Sequence, residues 1–532
     1  MFAALAIGSI IVLVCISFGQ FINRFGVPAL IIFLVLGIIM GALPIEQAPI
    51  EPIIAERIGE VALIFIMFYG GFGTNWKTAK TIILEASLLS TLGVCITAGA
   101  VTVFVHFVFG LPWPESFLIG AVISCTDGAS VFSLLRTKKM NLKHNTVSVL
   151  EIENGSNDPI AYLLTLVAIL IMQGGSLSEI PLLVIEELVF GVGIGLGIAI
   201  LAVPVINRFS RHFPEGMDFV FVFAIAILTF ALSQLVHGNG YLSAFLCGIW
   251  LGNSSIPHKA KTARFFDSID WFAQIMIFFV LGMLVNPAKL IPAILPAAGL
   301  TLFLLIVARP LTVFSIFKFF KAPTRQCLLI SWVGLRGAAS LVFAVMAISS
   351  GLALQSDLFS IIVLTALFSI TLQGTLLSQA AKRLDMIDTE SDVMRSFTDY
   401  QVQSDQAFLK INMGPDHFWV GKPLRDLGIG QESLIVLIKR GDKTIAPNGN
   451  TVIEAGDILV MTGESYTDND SAHISQVFVD AKNEWADTLV KDMRLKENTL
   501  VVNVLKEDGT SITPRGWTKI HPGDTVTIIT WE

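Results

Sequence analysis

Charged residues are scarce in this 532-residue sequence, and their scarcity excludes an ordinary soluble protein. Asp, Glu, Lys and Arg together make up 14% of the chain, whereas 54% of the residues are hydrophobic and the mean hydropathy is +0.73. Soluble domains are about one quarter charged. Apolar segments that cross a bilayer account for such a composition. The composition therefore predicts a multi-pass membrane protein that is surrounded by membrane lipid.

Motifs for several kinds of chemistry are also missing. None of the five cysteines has CxxC spacing, so neither a zinc site nor a disulfide framework is indicated. The sequence shows no nucleophile constellation, phosphate loop or metal motif of an enzyme, and no Thr-Val-Gly-Tyr-Gly filter of a potassium channel. We therefore expect no enzymatic activity and no cofactor.

Thirteen apolar stretches are candidates for membrane spans, which need about 17–25 apolar residues. They are 2–21, 27–43, 57–72, 82–110, 116–135, 145–172, 180–206, 217–236, 240–253, 268–285, 290–317, 326–350 and 356–380. Basic residues fall almost entirely in alternate connections between them. The positive-inside rule then predicts a cell-membrane protein with its N-terminus outside and its C-terminus in the cytoplasm.

A few ionisable and amide residues lie inside these apolar stretches. Thr126 and Asp127 lie in the fifth, the run from Glu153 to Asp158 lies in the sixth, and Arg336 lies in the twelfth. Charged groups at membrane depth are costly and normally face a bundle interior or a water-filled cavity, where they handle ions or protons. This pattern predicts an ion-coupled transporter.

The fifth and twelfth stretches contain similar segments. Asp127-Gly-Ala-Ser-Val resembles Arg336-Gly-Ala-Ala-Ser-Leu, and the two run in opposite directions because the twelfth span comes seven spans after the fifth. We predict an all-α membrane domain of about 13 spans with inverted repeats and two interrupted helices that cross near the midplane. Ordinary packing of small residues between helices is the alternative.

Residues 1–385 resemble the cation/proton antiporter superfamily, in its NhaP-type branch. The resemblance rests on three segments in order, which are 124–135 (SCTDGASVFSLL), 150–159 (LEIENGSNDP) and 334–340 (GLRGAAS). One position departs from many sodium-exchanging relatives, because Gly128 rather than Pro follows the Thr-Asp pair. With that glycine, the segments look more like the potassium/proton exchangers of the branch.

The resemblance implies a role for each buried polar residue. Asp158, the acid of the Asn157-Asp158 pair, would hold a cation and a proton alternately. The cation site would be completed by Thr126, Asp127 and Asn154. A buried structural ion pair would be formed by Glu153 and Arg336. Arg309, which precedes Pro310, either stabilises a broken helix or lies nearer the membrane interface.

The chemistry of these residues can be argued without the family. K⁺ and Na⁺ bind hard oxygen ligands, which Asp158, Asp127 and the Thr126 hydroxyl can supply. Asn157 is uncharged, so the Asn-Asp pair contributes one titrating group. A carboxylate that holds either one proton or one cation exchanges them one for one, which predicts electroneutral antiport.

The composition changes after residue 381, where a cytoplasmic tail is predicted. We expect a connector helix at 382–400, a small α/β domain at 401–465, a linker at 466–495 and a partial second β-rich repeat at 496–532. Residues 401–465 resemble the TrkA-C-like half of regulator-of-K⁺-conductance domains. The resemblance implies dimerisation and sensing of a small nucleotide-type ligand; a tail that only assists assembly is the alternative.

Together these patterns predict an electroneutral secondary antiporter, a homodimer that exchanges K⁺ or Na⁺ for H⁺ under regulation by its tail. Nucleic acid is not an expected partner. A cation channel gated by the tail is the competing class, and the missing filter argues against it.

Overall fold

The computed structural model describes residues 30–42, 51–388 and 406–531, apart from short gaps. The gaps are 75, 77–79, 81, 139, 210–213, 215, 415–416, 418, 428–433, 441–442, 446, 465–471, 480–482, 494, 496–498, 507–510 and 513. The chain divides into two compact units, Met1–Val402 and Gln403–Glu532.

Fourteen helices lie in the described part of the first unit. They are α1 Leu30–Ala42, α2 Pro52–Gly73, α3 Ile83–Phe109, α4 Trp113–Ile123, α5 Gly128–Thr137, α6 Thr146–Met172, α7 Ile180–Phe209, α8 Met217–Leu235, α9 Gly240–Asn253, α10 Lys259–Met283, α11 Pro287–Phe317, α12 Thr324–Trp332, α13 Ala338–Ser349 and α14 Leu358–Arg383. Seven of them are long and apolar enough to cross a membrane.

Every predicted span from 27–43 onward coincides with one of these helices or with a broken pair. The first predicted span, 2–21, lies outside the described residues, so the count of thirteen stays a prediction. Helix α10 begins at Lys259 rather than at 268. This earlier start brings Asp267 into the helix.

Two spans are interrupted, as predicted. Between α4 and α5 the chain leaves the helical conformation at residues 124–127, and between α12 and α13 it does so at 333–337. The two breaks touch, because the Asp127 N–H donates to the Leu335 carbonyl at 2.8 Å. The interrupted helices therefore meet at their non-helical backbone.

Glycine residues bring the short helix α9 into close contact with α2. A Cβ on Gly248 would lie 2.2 Å from the Phe68 carbonyl oxygen of α2, and one on Gly252 would lie 2.2 Å from that of Phe72. Helices α1 and α10 meet in the same way, since a Cβ on Gly37 would lie 2.2 Å from the Phe279 carbonyl oxygen. Both helix pairs are thus in backbone contact.

The predicted connector helix, 382–400, is wrong over residues 384–388, which are not helical. Helix α14 ends at Arg383, and strand β2 (Ile387–Asp388) pairs with β1 (Asn141–Leu142). Asp385 has a left-handed backbone (φ 53°), which ends a helix and which Asp tolerates. The Lys143 ammonium bonds this carboxylate at 3.1 Å and lowers its pKa. Residues 389–400 lie outside the described residues.

The second unit contains two sheets with the same strand order. The first has the order β3–β6–β4–β5 and the second β7–β10–β8–β9. The strands are β3 Gln406–Asn412, β4 Leu434–Arg440, β5 Lys443–Ile445, β6 Ile458–Glu464, β7 Ala472–Phe478, β8 Thr499–Leu505, β9 Ser511–Ile512 and β10 Thr525–Trp531. The second sheet thus contains a counterpart of each strand of the first.

The predicted linker at 466–495 is therefore wrong, because it contains strand β7. The second repeat is complete rather than partial and begins at Ala472 instead of 496. Equivalent ion pairs support the duplication. The buried Asp457 is bonded to Arg440 at 2.8 Å, and the buried Asp524 occupies the same place in the second sheet, where it is bonded to Lys506 at 2.5 Å.

Candidate ion-binding site

Helix α6 carries the predicted acid and both amides into the interior. Glu153, Asn154, Asn157 and Asp158 recur at the spacing of one helix stripe and are all buried. Pro159 follows within the helix and has no N–H for the usual backbone bond. The Pro159 carbonyl accepts a hydrogen bond from the Asn239 side chain at 2.9 Å, which ties α6 to the start of α9.

The first helix break is tied to α6 through one hydroxyl group. Thr126 Oγ1 donates to Asn154 Oδ1 at 2.5 Å and accepts a hydrogen bond from Asn157 Nδ2 at 2.5 Å. This contact needs Gly128, because a Cβ there would lie 2.6 Å from the Asn154 Cβ. Thr126 therefore fixes the orientation of both amides.

Asp158 is deeply buried and incompletely paired. Its side chain is 5% exposed, and within the described part of the chain its Oδ1 has no hydrogen-bond partner. The Oδ1 of Asn157 likewise has no partner among those residues. Asp127 is the charged neighbour that acts most strongly on Asp158. The site thus offers oxygen atoms that suit a monovalent cation.

Asp127 lies between two helix N-termini. Its carboxylate accepts bonds from the Ser130 hydroxyl and, at 3.4 Å, from the Ser130 N–H in the first turn of α5. A Cβ on Gly337, directly before α13, would lie 2.1 Å from Asp127 Oδ2. A negative charge at these positions is stabilised by both helix dipoles.

The predicted ion pair between Glu153 and Arg336 is wrong in its partner. Glu153 Oε1 is bonded to Arg309 Nη1 at 2.7 Å, and both side chains are buried. Arg336 Nη1 instead donates to the Cys125 carbonyl and, at 2.7 Å, to the Ser124 carbonyl. The interruption after α4 leaves carbonyls without helical partners, and Arg336 satisfies two of them.

The position of Arg309 follows from an irregularity in α11. A π-helical turn at Leu304–Ala308 precedes Arg309, and Pro310 follows it. Arg309 Nη2 also donates to the Ile330 carbonyl of α12 at 3.3 Å. A Cβ on Gly334 would lie 2.4 Å from Arg309 Nε, so the glycine provides the room. Of the two predicted alternatives, support of a broken helix is the correct one.

A cavity of about 270 Å³ leads to Asp158 between α2, α6, α10 and the two breaks. Its polar lining includes Asp127, Glu151, Asp158, Asp267, Asp270 and Gln274. The acids of α10 were not among the predicted site residues. The available signal was the pair Asp267 and Asp270, which lie three residues apart beside Phe265, Phe266 and Trp271. Asp267 accepts a bond from the Tyr69 hydroxyl at 2.7 Å.

The membrane unit matches a known family over most of its length. Residues 9–383 match the family model described as sodium/hydrogen exchanger, transmembrane. The chain belongs to this exchanger family. Residues 410–465 match the TrkA-C domain model. The exchanger is accordingly a multi-pass membrane protein of the cation/proton antiporter type, and the resemblance to the NhaP-type branch is confirmed.

Curated relatives are named as antiporters. The chain is 32% identical over 470 residues to the K(+)/H(+) antiporter NhaP2 of Shewanella oneidensis, and this match covers 86% of the chain and 80% of the relative. It is 31% identical over 369 residues to the K(+)/H(+) antiporter NhaP of Alkalimonas amylolytica, which covers 68% of the chain and 64% of that protein.

A solved structure shares the fold. The sodium proton antiporter MjNhaP1 from Methanocaldococcus jannaschii superposes with a TM-score of 0.61 at 22% identity, covering 72% of this chain and 99% of that one. This similarity supports the helical architecture of the exchanger.

Proposed function

We propose that the exchanger transports K⁺ in exchange for H⁺, one for one, across the cell membrane through Asp158. The observation that carries the proposal is a buried carboxylate with an unpartnered oxygen at the end of a cavity lined by acids. A lone buried charge is costly. Asp158 therefore holds either a proton or a cation, and this exclusive choice couples the two fluxes.

The neighbouring residues divide into ligands and supports. Asp158 Oδ1 and Asn157 Oδ1 are the ligands we assign to the cation, because each lacks a hydrogen-bond partner among the described residues. Thr126 and Asn154 hold the amide of Asn157 in place through the bonds described above. Asp127 adds negative charge beside the cation without binding a proton of its own.

Electroneutral exchange follows from the charges of the site. Asn157 is neutral, and Asp127 is stabilised as an anion by two helix N-termini. Only Asp158 then changes its protonation state during a cycle. One proton leaves for each monovalent cation that enters, so we expect an imposed membrane potential to have no effect on the rate.

K⁺ is our first candidate for the cation, because the relatives that cover most of the chain are named K(+)/H(+) antiporters and Gly128 stands after Thr126-Asp127. Na⁺ is the second. A protein of Methanocaldococcus jannaschii, named "Probable Na(+)/H(+) antiporter 2", is 27% identical over 310 residues, covering 55% of this chain and 71% of that protein.

We assign the basic connections between the spans, and the tail with its two sheets, to the cytoplasmic side. In this orientation the cavity opens toward the cytoplasm, since it is lined by the C-terminal end of α2 and the N-terminal half of α10. We further propose a homodimer whose TrkA-C domain senses a small nucleotide-type ligand and favours one arrangement of the transport unit.

Proteoliposomes with an internal pH dye test the exchange directly. We expect K⁺ on the outside to drive H⁺ out at a rate that a K⁺/valinomycin-imposed potential leaves unchanged. Asp158→Asn should abolish this exchange, whereas the control Glu179→Gln, in the connection before α7, should retain it. Full exchange in Asp158→Asn, or a current that accompanies transport, would contradict the proposal.

A further inference from the structure

The chain is bonded back to the membrane unit just before it continues into the tail. In β2, Ile387 lies opposite Leu142 of β1, and Asp388 lies opposite Asn141. The Lys143 N–H also donates to the Met386 carbonyl at 2.9 Å. We call β1 and β2 together the tail ribbon. A displacement of the tail therefore reaches this ribbon before it reaches α14.

One carboxylate joins the ribbon to two connections of the membrane unit. Asp385 Oδ1 accepts a bond from Lys143 Nζ at 3.1 Å, between β1 and α6, and Asp385 Oδ2 accepts one from Arg325 Nη1 at 3.2 Å, in the first turn of α12. The three side chains are between 38% and 68% exposed. Exposed ion pairs contribute little to stability, so these bonds orient the ribbon without being needed for the fold.

The ribbon packs on one particular group of helices. Met386 is 1% exposed and lies in a buried apolar cluster together with Leu142 of β1. Within the described ranges, the helices that contribute buried side chains to this cluster are α3, α5, α6, α11, α12 and α14. Helices α1, α2 and α7 to α10 contribute none there. The ribbon is thus fixed to the first group alone.

This group carries the ion site. The ribbon strand β1 lies between α5 and α6. Asp127 directly precedes α5, and Asp158 lies about three turns into α6. The remaining helices that line the cavity, α2 and α10, are outside the group. A displacement of the ribbon therefore shifts Asp127 and Asp158 together relative to α2 and α10, which changes the access to Asp158.

We propose that the tail ribbon, held by Asp385, is the connection through which the tail acts on the ion site. The inference rests on the regulation by the tail proposed above and deepens it, because it identifies the element that transmits the signal. A tail state that displaces β2 favours one position of the site-carrying helices over the other. Transmission requires that the two strands stay joined.

Double-mutant cycles in the full-length exchanger test this connection. Asp457→Asn disturbs the buried ion pair of the first sheet, and Asp524→Asn disturbs that of the second. We expect each change to shift the K⁺ concentration for half-maximal exchange in proteoliposomes by about fivefold or more, which is a typical coupling between two sites. In an Asp385→Asn background the same changes should shift it by less than about twofold.

The matched control is Lys382→Gln. This change also removes an exposed charge, one turn before Asp385, and it should retain the full effect of both tail variants. Asp385→Asn alone should leave the melting temperature in detergent unchanged, because its ion pairs are exposed. A clear loss of thermal stability would show that Asp385 serves the fold and would overturn the proposal.

A disulfide across the ribbon provides a rescue. Residues 141 and 388 face each other, and such partners in antiparallel strands have Cα atoms about 4.5–5.5 Å apart, which suits a disulfide. Asn141→Cys with Asp388→Cys, added to Asp385→Asn, should restore the effect of the tail variants on oxidation and lose it again on reduction. Asp385→Asn without the added cysteines controls for the native thiols.

The outcomes separate the ribbon from the regulation on which it rests. A full effect of the tail variants in the Asp385→Asn background, or no rescue once the disulfide has formed, would overturn the ribbon and leave regulation by the tail standing. If neither tail variant alters exchange in the otherwise unmodified protein, regulation by the tail is wrong, and the ribbon falls with it.

Discussion

The two helix breaks cross each other, but the backbone groups at their ends find hydrogen-bond partners in different ways. In the break between α4 and α5, Asp127 itself caps the N-terminus of α5. The carbonyls that end α4 are bonded by Arg336, which comes from the other break. The break between α12 and α13 has no side-chain cap of its own. Arg309 and Gln373 from other helices bond the Ile330 and Trp332 carbonyls that end α12.

This difference separates chemistry from support. The first break presents Asp127 to the cavity, half-buried and beside Asp158. The second break is buried, and its charged residue, Arg336, is bonded to backbone carbonyls. Changes at the first break should therefore alter transport, and changes at the second break and its supports should alter stability.

The largest effect on stability is expected from the pair that supports the second break. Glu153→Gln or Arg309→Gln alone leaves one buried charge unpaired, which costs about 3–5 kcal/mol of unfolding free energy. The double variant should recover part of this loss. Thermal unfolding of the four proteins in detergent measures the coupling between the two side chains.

The same cycle with Arg336 in place of Arg309 is the control for that pair. Glu153 and Arg336 do not bond each other, so their losses should be closer to additive. Stronger coupling of Glu153 with Arg336 than with Arg309 would contradict the partner that the structure gives.

A smaller loss is expected for Arg336→Gln. This variant removes the charge-assisted bonds that one nitrogen, Nη1, donates to two carbonyls. With the single charged nitrogen counted once, the loss is about 1.5–3 kcal/mol, and no acid is left unpaired. The melting temperature should fall by less than in Arg309→Gln. The reverse order would show that the second break, and not its support from α11, carries the larger share of the stability.

The contact between the breaks can be tested at Gly337. A Cβ at this position meets Asp127 Oδ2 at 2.1 Å, and overpacking of this kind costs about 1–3 kcal/mol. Gly337→Ala should therefore lower the thermal stability. The same change in an Asp127→Ala background should cost less, because the carboxylate is gone and only the Cβ of residue 127, at 2.7 Å, remains in the way. Equal costs in both backgrounds would place the strain elsewhere.

The smallest stability effect is expected at the first break itself. Asp127→Asn keeps an oxygen that can cap α5, and Asn and Asp cap helices about equally well. The melting temperature should hardly change, while the half-maximal K⁺ concentration for exchange should rise through loss of the charge beside Asp158. An unstable variant with unchanged transport would reverse the assignment of the two breaks.

Local sequence signals predicted the fold and the buried polar residues that the structure brings together around Asp158. Apolar runs gave the positions of the helices, and the charged residues within small-residue segments marked both breaks. The partner of Glu153 could not be predicted, since the choice between Arg309 and Arg336 depends on how three helices pack. Strand β7 was missed because its sequence, Ala472-His-Ile-Ser-Gln-Val-Phe478, has only a weak apolar pattern. The order of its sheet depends on pairing with β10, which is distant in sequence.

The backbone contacts of α2 with α9 and of α1 with α10 have a mechanical consequence. Helices that pack through long side chains can slide by changes of rotamer, whereas helices in backbone contact have no such layer between them. Gly248, Gly252 and Gly37 hold these pairs at that distance. Helix α10 carries Asp267 and Asp270, which line the cavity. Any motion that alternates access to Asp158 must therefore carry each helix pair as one rigid piece.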